Sequence, residues 1–184
     1  KLTKCPNLAF IQAAHIYAKF IPYICSMYIN SDFSRLEINL KGCLDNYKYF
    51  RSKLEDSTKL LVLVKANAYG HGAVEFASLM EDAGADYLAV AYPVEGIELR
   101  QAGIKSPIIV LTAGTDSFEQ IVNYGLEPGI PNLCALKELC NVLEKRGVKD
   151  FPVHIKLDTG MHRLGFMTDE LEELMDFLKG CRYV

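Results

Sequence analysis

Lys65, Lys156 and Arg163 are the residues whose types and setting point to chemistry. Lys65 ends the apolar run LVLV and is followed by ANAYGHG, which puts the phenol of Tyr69 four positions on and glycines at 70 and 72. An apolar run bounded by glycines reads as a buried strand. Lys65 then falls where that strand leaves its sheet, the edge at which parallel α/β proteins do their chemistry. An amine partly desolvated there favours its neutral form and becomes a nucleophile able to form a Schiff base with an aldehyde. The alternative is a surface lysine that merely closes a strand. Gly70 and Gly72 would let backbone amides come close to an anion.

The second group lies in VHIKLDTGMHRLGF. On a strand, Val153, Ile155 and Leu157 face one way and His154, Lys156 and Asp158 the other. With the apolar set under helices, Lys156 points into the enclosed side, where a lone ammonium is costly. An ion pair with Asp158 or another carboxylate is one resolution, and chemical alteration of the amine is another. Arg163, beyond the Gly160 turn, offers a rigid fork of donors that stays charged at any working pH. His162 reads as a rim residue, His71 as a structural one fixing the loop after Tyr69, and Asp158, Thr159 and Gly160 as shapers of a turn.

The elements that must position these groups follow a regular beat. Residues 34–40 alternate Leu36, Ile38 and Leu40 with polar positions, as in a half-buried strand. Leu44, Tyr47, Phe50 and Leu54 then recur at helical spacing. After the Lys65 strand comes a helix carrying Ala73, Phe76, Ala77, Met80 and Ala83, stopped by Gly84. Strands follow at 87–91, 107–111, 126–130 (weakened by Pro128 and Gly129) and 153–157. Helices follow at 94–101, 117–124 and 132–146, and a last one capped by Thr168 runs to Gly180. Strand starts lie roughly 20 to 27 residues apart, the beat of βα units in a parallel sheet. The fold expected is α/β, an incomplete TIM-type (β/α)8 barrel with about five of eight βα units, since a full one needs about 250 residues. Residues 181–184 look like the start of a sixth strand.

Composition narrows the function classes. With 184 residues, half of them hydrophobic, the chain can bury a sizeable core. A net charge of −3 and a pI near 5.8 give no reason to expect nucleic acid or an acidic membrane surface as partner. Six cysteines lie far apart without a C-x-x-C pair, which suggests neither zinc nor a disulfide scaffold and fits a reducing cytoplasm. No metal site is indicated. Residues 1–30 are apolar and aromatic, but Lys19 and His15 interrupt the run and no cleavage site closes it, so neither a signal peptide nor a span is expected. They read as an extension, with Met27 a plausible natural start, and residues 31–184 as the domain proper.

Three segments also carry a resemblance. VKANAYGHG resembles the pyridoxal-phosphate lysine motif of the alanine racemase family, KLDTGMHRLGF (residues 156–166) its other signature, and SRLEINLKGCLDNYKYFR (residues 34–51) its N-terminal opening. The resemblance implies an isomerase that interconverts L- and D-alanine, supplying D-alanine for cell-wall peptidoglycan. Lys65 would hold pyridoxal 5'-phosphate and act as catalytic base. Tyr69 would seat the cofactor, Arg163 would bind its phenolic oxygen and the substrate, and Lys156 would be carbamylated to hold Arg163. It also implies a cytoplasmic homodimer, and a strand at 35–40 that joins a C-terminal β-domain. The second base, a tyrosine, would come from that domain of a partner subunit. On this reading the chain is a truncated barrel domain, inactive alone. A racemase of serine or broad specificity and a non-catalytic pyridoxal-phosphate-binding barrel share the lysine motif.

Overall fold

The computed structural model describes residues 24–27 and 36–184. The chain divides between Phe50 and Arg51 into two compact units. In the first unit, β1 (Ile24–Met27) pairs antiparallel with β2 (Leu36–Asn39), from Ile24 opposite Asn39 to Met27 opposite Leu36. Residues upstream of Met27 therefore take part in a strand pairing, while the remainder of the expected extension lies outside the described residues. Ile38 is buried between exposed Glu37 and Asn39, but Leu36 is exposed, so the alternation read from the sequence holds only at Ile38. Helix α1 (Leu40–Arg51) follows directly. The Asn39 side chain accepts from Gly42 N at 3.0 Å and so satisfies one of the amides that a helix start leaves open.

The second unit alternates strand and helix without exception: β3 (Leu61–Leu63), α2 (Ala73–Asp82), β4 (Tyr87–Val90), α3 (Pro93–Gln101), β5 (Ile108–Val110), α4 (Phe118–Asn123), β6 (Glu127–Ile130), α5 (Leu133–Arg146), β7 (His154–Ile155) and α6 (Leu171–Gly180). The strands form one parallel sheet in chain order, β3-β4-β5-β6-β7. Each strand pairs with the next through a crossover helix, as in a (β/α)8 barrel, and five units are present as expected. Apolar burial explains the order. Leu88, Val90, Ile108, Val110 and Ile130 on the strands are fully enclosed, as are Leu99, Phe118, Ile121, Leu136, Leu139 and Leu143 on the helices. At Gly96 the helix lies so near the sheet that a Cβ would stand 3.0 Å from the Leu126 side chain.

Several local expectations are corrected. The strand at 126–130 is not broken by Pro128 and Gly129, because β6 runs through both with Val110 opposite Pro128 and His154 opposite Gly129. Gly129 is there for space, since a Cβ would lie 3.2 Å from Lys156 Cδ and from Val110 O. Leu157, expected beneath helices, is 52% exposed. Thr168 opens a 3-10 turn (Thr168–Glu170) but caps nothing, and the Glu170 carboxylate instead accepts from Met167 N at 2.7 Å. Residues 181–184 form no strand; two backbone bonds, Phe151 N to Tyr183 O at 2.8 Å and Cys181 N to Leu178 O at 3.1 Å, tie them down.

Candidate active site

Lys65 sits at the C-terminal edge of the sheet, one residue past Val64, whose amide still bonds Ala89 O at 2.9 Å on β4. Its ammonium lies 5.9 Å from the centre of the Tyr69 ring, and no carboxylate pairs with it among the described residues. Tyr69 is 59% exposed, so the phenol stands open beside the amine.

The chain between them does something the sequence hides. Ala66, Asn67, Ala68 and Tyr69 all have φ near +50° and ψ between 35° and 49°, a left-handed turn of four consecutive residues. Each such L-residue costs about 1–2 kcal/mol, so the turn needs outside support. Its amides are largely consumed in that support: Ala68 N bonds Val64 O, Gly72 N bonds Asn67 O, and His71 N bonds Ala68 O. His71 Nδ1 also lies 2.8 Å from Ala68 O, which makes that nitrogen the protonated one. The Asn67 side chain accepts from Ala73 N at 2.7 Å and starts α2. The Gly72 amide is therefore already bonded within the turn.

The main support comes from a residue that sequence reading passed over. Glu95, in the first turn of α3, accepts from Ala66 N (2.7 Å) with one oxygen and from Ala91 N (2.7 Å) and Tyr92 N (3.0 Å) with the other. One carboxylate thereby joins the residue after Lys65 to the loop leaving β4. The only sequence signal was an acidic residue in a helix first turn, which ordinarily means a capping contact and no more. Glu95→Ala leaves these amides without an acceptor and is expected to cost about 1–3 kcal/mol. Urea unfolding should show that loss together with weaker retention of an aldehyde ligand at Lys65. A variant with wild-type stability and ligand retention would contradict this role.

At the other border of the sheet, Lys156 leaves β7 and crosses Gly129 to donate to Leu111 O at 3.1 Å, beyond the end of β5. The alternative of an ion pair with Asp158 is not realised. Burial first, and then the nearby Arg163 charge, push the Lys156 ammonium below the ordinary lysine range. Residues 158–165 form a closed loop whose ends are tied by Asp158 N to Phe166 O (2.9 Å) and Phe166 N to Lys156 O (2.8 Å). Asp158 Oδ1 accepts from His162 N (3.0 Å) and Gly160 N (2.9 Å), and His162 Nδ1 lies 3.3 Å from Oδ2. Arg163 itself is exposed and engages no carboxylate among the described residues.

Those bonds hold the Asp158 carboxyl below its usual range, the His162 amide first and the Gly160 amide second. A depressed carboxylate contributes stability that is complete above the unfolded value of about 3.9 and is lost as pH falls through the lower folded value. The loop is therefore expected to loosen only in that acid window. Limited proteolysis within residues 158–165 should rise there, and Asp158→Asn should remove the pH dependence. Cleavage that stays flat with pH in the unsubstituted chain would count against the assignment.

Lys65 with Tyr69, and Lys156 with Arg163, thus form two pairs on one rim, on the first and last strands of the sheet. Among the described residues, no group of three or more His, Cys, Asp or Glu side chains could hold a metal ion. An unpaired amine and a free guanidinium on the same rim suit an aldehyde-bearing anionic cofactor such as pyridoxal phosphate.

The comparisons with known proteins agree with this geometry. The family model described as alanine racemase, N-terminal domain, matches residues 38–184. The alanine racemase of Thermodesulfovibrio yellowstonii is 43% identical over 147 residues, covering 78% of this chain and 40% of that protein. That of Synechocystis is 43% identical over 132 residues, 71% of this chain and 35% of its own length. The solved alanine racemase of Clostridium difficile 630 superposes with a TM-score of 0.70 at 38% identity, covering 79% of this chain and 38% of that one. A Bartonella henselae alanine racemase with covalently bound pyridoxal phosphate gives 0.69 at 27% identity, covering 74% and 40%. The chain therefore spans 35 to 40% of the length of these relatives. The family-model match, the sequence identities and the shared fold place the chain in the alanine racemase family, in its N-terminal domain.

Proposed function

We propose that the protein to which these residues belong interconverts L-alanine and D-alanine with pyridoxal 5'-phosphate, so providing D-alanine for peptidoglycan. The observation that carries this reading is the unpaired Lys65 amine at the C-terminal end of β3, beside the exposed Tyr69 phenol. When bound, pyridoxal phosphate supplies an electron-poor ring that makes the substrate Cα–H bond acidic. Lys65 would hold the cofactor through its Nζ and would take or return the substrate Cα proton on one face. Tyr69 would help seat the cofactor. Arg163 offers its donors to the phenolic oxygen and to the substrate carboxylate. Lys156, held on Leu111 O with its charge disfavoured, is suited to carbamylation, which would turn it into an anion that orients Arg163.

Racemisation also needs an acid/base on the opposite face of Cα. Lys65 would serve one face only, so the 184-residue chain alone is expected to convert alanine negligibly, whereas the complete protein would convert it as a cytoplasmic homodimer. Among the described residues no helix is long and apolar enough to cross a membrane. The test compares the purified chain with the complete protein, each given pyridoxal phosphate and L-alanine, by chiral analysis of product. D-alanine from the complete protein and essentially none from the chain is the expected result. D-alanine from neither, or conversion of serine in preference to alanine, would overturn the assignment.

A further inference from the structure

A second reactive pair lies away from the rim, where α5 meets the residues after α6. Cys140 Sγ is 3.3 Å from Cys181 Sγ. A disulfide needs about 2.05 Å, so the sulfurs stand in contact, about 1.3 Å short of a bond.

The approach is held in register from both sides. Cys140 and Glu144 are one turn apart on the same face of α5, and Cys181 and Tyr183 are two apart on an extended segment. Tyr183 Oη donates to Glu144 Oε1 at 2.7 Å, and Tyr183 O accepts from Phe151 N at 2.8 Å. These two bonds fix the segment against the helix and aim Cys181 at Cys140. The helices are joined nearby as well, with Lys137 Nζ 3.7 Å from Glu173 Oε1 and 5.9 Å from the centre of the Phe177 ring. An open cleft of about 360 Å³ lined by Lys137, Asn141, Phe177 and both thiols gives a small molecule access to the pair.

We propose that Cys140 and Cys181 form a reversible redox-modification site, in which a small-molecule disulfide such as oxidised glutathione converts the two thiols into an intramolecular disulfide. The two positions have distinct tasks. Cys181 is part-exposed and Cys140 is buried. Burial first, and then the hydrogen bond and charge of Cys181, push the Cys140 thiol up to about 12, so Cys140 is the slower nucleophile. The Cys181 thiolate attacks one sulfur of the small disulfide. That S–S bond breaks, and the departing thiolate takes the proton Cys181 gave up. Cys140 then loses its proton and attacks the Cys181 sulfur of the mixed disulfide, expelling the second small thiol. Two protein thiols are oxidised, one disulfide is reduced to two thiols, and no other oxidant is consumed.

The bridge would close residues 140–181 into a loop that holds β7, Lys156 and Arg163. In a reducing compartment such a bond is transient and reports the local thiol poise. The inference rests on the thiol geometry alone and stands whatever the rim catalyses.

The test incubates the full chain with oxidised glutathione and maps peptides by mass spectrometry without reduction. A Cys140–Cys181 linked peptide is expected, with a melting midpoint raised by about 10 °C over the reduced chain. Cys140→Ser should stop the reaction at a Cys181–glutathione adduct, and Cys181→Ser should leave Cys140 unmodified. A stable glutathione adduct on Cys181 while Cys140 is present, both thiols left free, or either one bonded to a different cysteine would overturn the proposal.

Discussion

Lys65→Ala in the complete protein is expected to abolish covalent cofactor attachment and to lower kcat for alanine racemisation by about 10³-fold or more, since under the proposed function one side chain would serve as both anchor and base. Three readouts separate this from general damage. The near-visible absorbance of a lysine-bound pyridoxal group should vanish, borohydride should no longer fix the cofactor to the chain, and stability should change little. The last follows from the contacts: among the described residues the ammonium's one neighbour is the Tyr69 ring, 5.9 Å away, a distance at which little stability is at stake. Lys156→Ala should keep the absorbance, because that amine is already held on a backbone carbonyl. A borohydride-fixed adduct that persists in Lys65→Ala, or that maps to Lys156 in the unsubstituted protein, would refute the division of roles.

The largest structural loss is expected at Gly165. Its φ is +137°, and a Cβ there would lie 2.6 Å from Asp158 N and 2.7 Å from Leu157 C. Neither neighbour can yield, because both belong to the backbone that closes the loop against Phe166. Gly165→Ala should therefore cost about 3 kcal/mol through overpacking and backbone strain together. It should also displace Arg163 and with it substrate binding, so that KM rises as well as stability falling. Gly180→Ala is the control, since a Cβ there meets no atom within 4 Å and Gly180 ends a helix. Equal stability for the two variants would show that the loop is not closed in this way.

The order of strands and helices was legible because burial on this sheet is strongly periodic. Runs such as PIIVL and YLAV can only be interior strands, and LCALKELCNVLEKR shows one apolar face. The lysine was legible for the same reason, as the point where an apolar run ends. What could not be read is whatever depends on a distant partner. Ala66 and Ala68 are small residues that favour a right-handed helix when left to themselves. Their left-handed course is supported by Glu95, 29 positions away from Ala66. For Lys156 the sequence left an ion pair with a carboxylate and chemical alteration both open, and its ammonium rests instead on the Leu111 carbonyl, just past a strand two places over. The Pro128-Gly129 pair looked like an interruption because propensity has no means of showing that a neighbouring lysine stem needs the room. Thr168 looked like a cap because Glu170, the group that does the capping, reads only as a charge in a helix first turn.

Reversed handedness at residues 66–69 also bears on when this part of the molecule assembles. A right-handed turn can nucleate from its own neighbours, whereas this one is uphill until β3 has met β4 and the Glu95 carboxylate has arrived. The catalytic corner should accordingly organise after the sheet beneath it, and be the first to open under mild denaturant. In a deuterium-labelling time course, the amides of residues 66–69 should exchange well before those of residues 88–90, and an occupant bonded to Lys65 should narrow the gap.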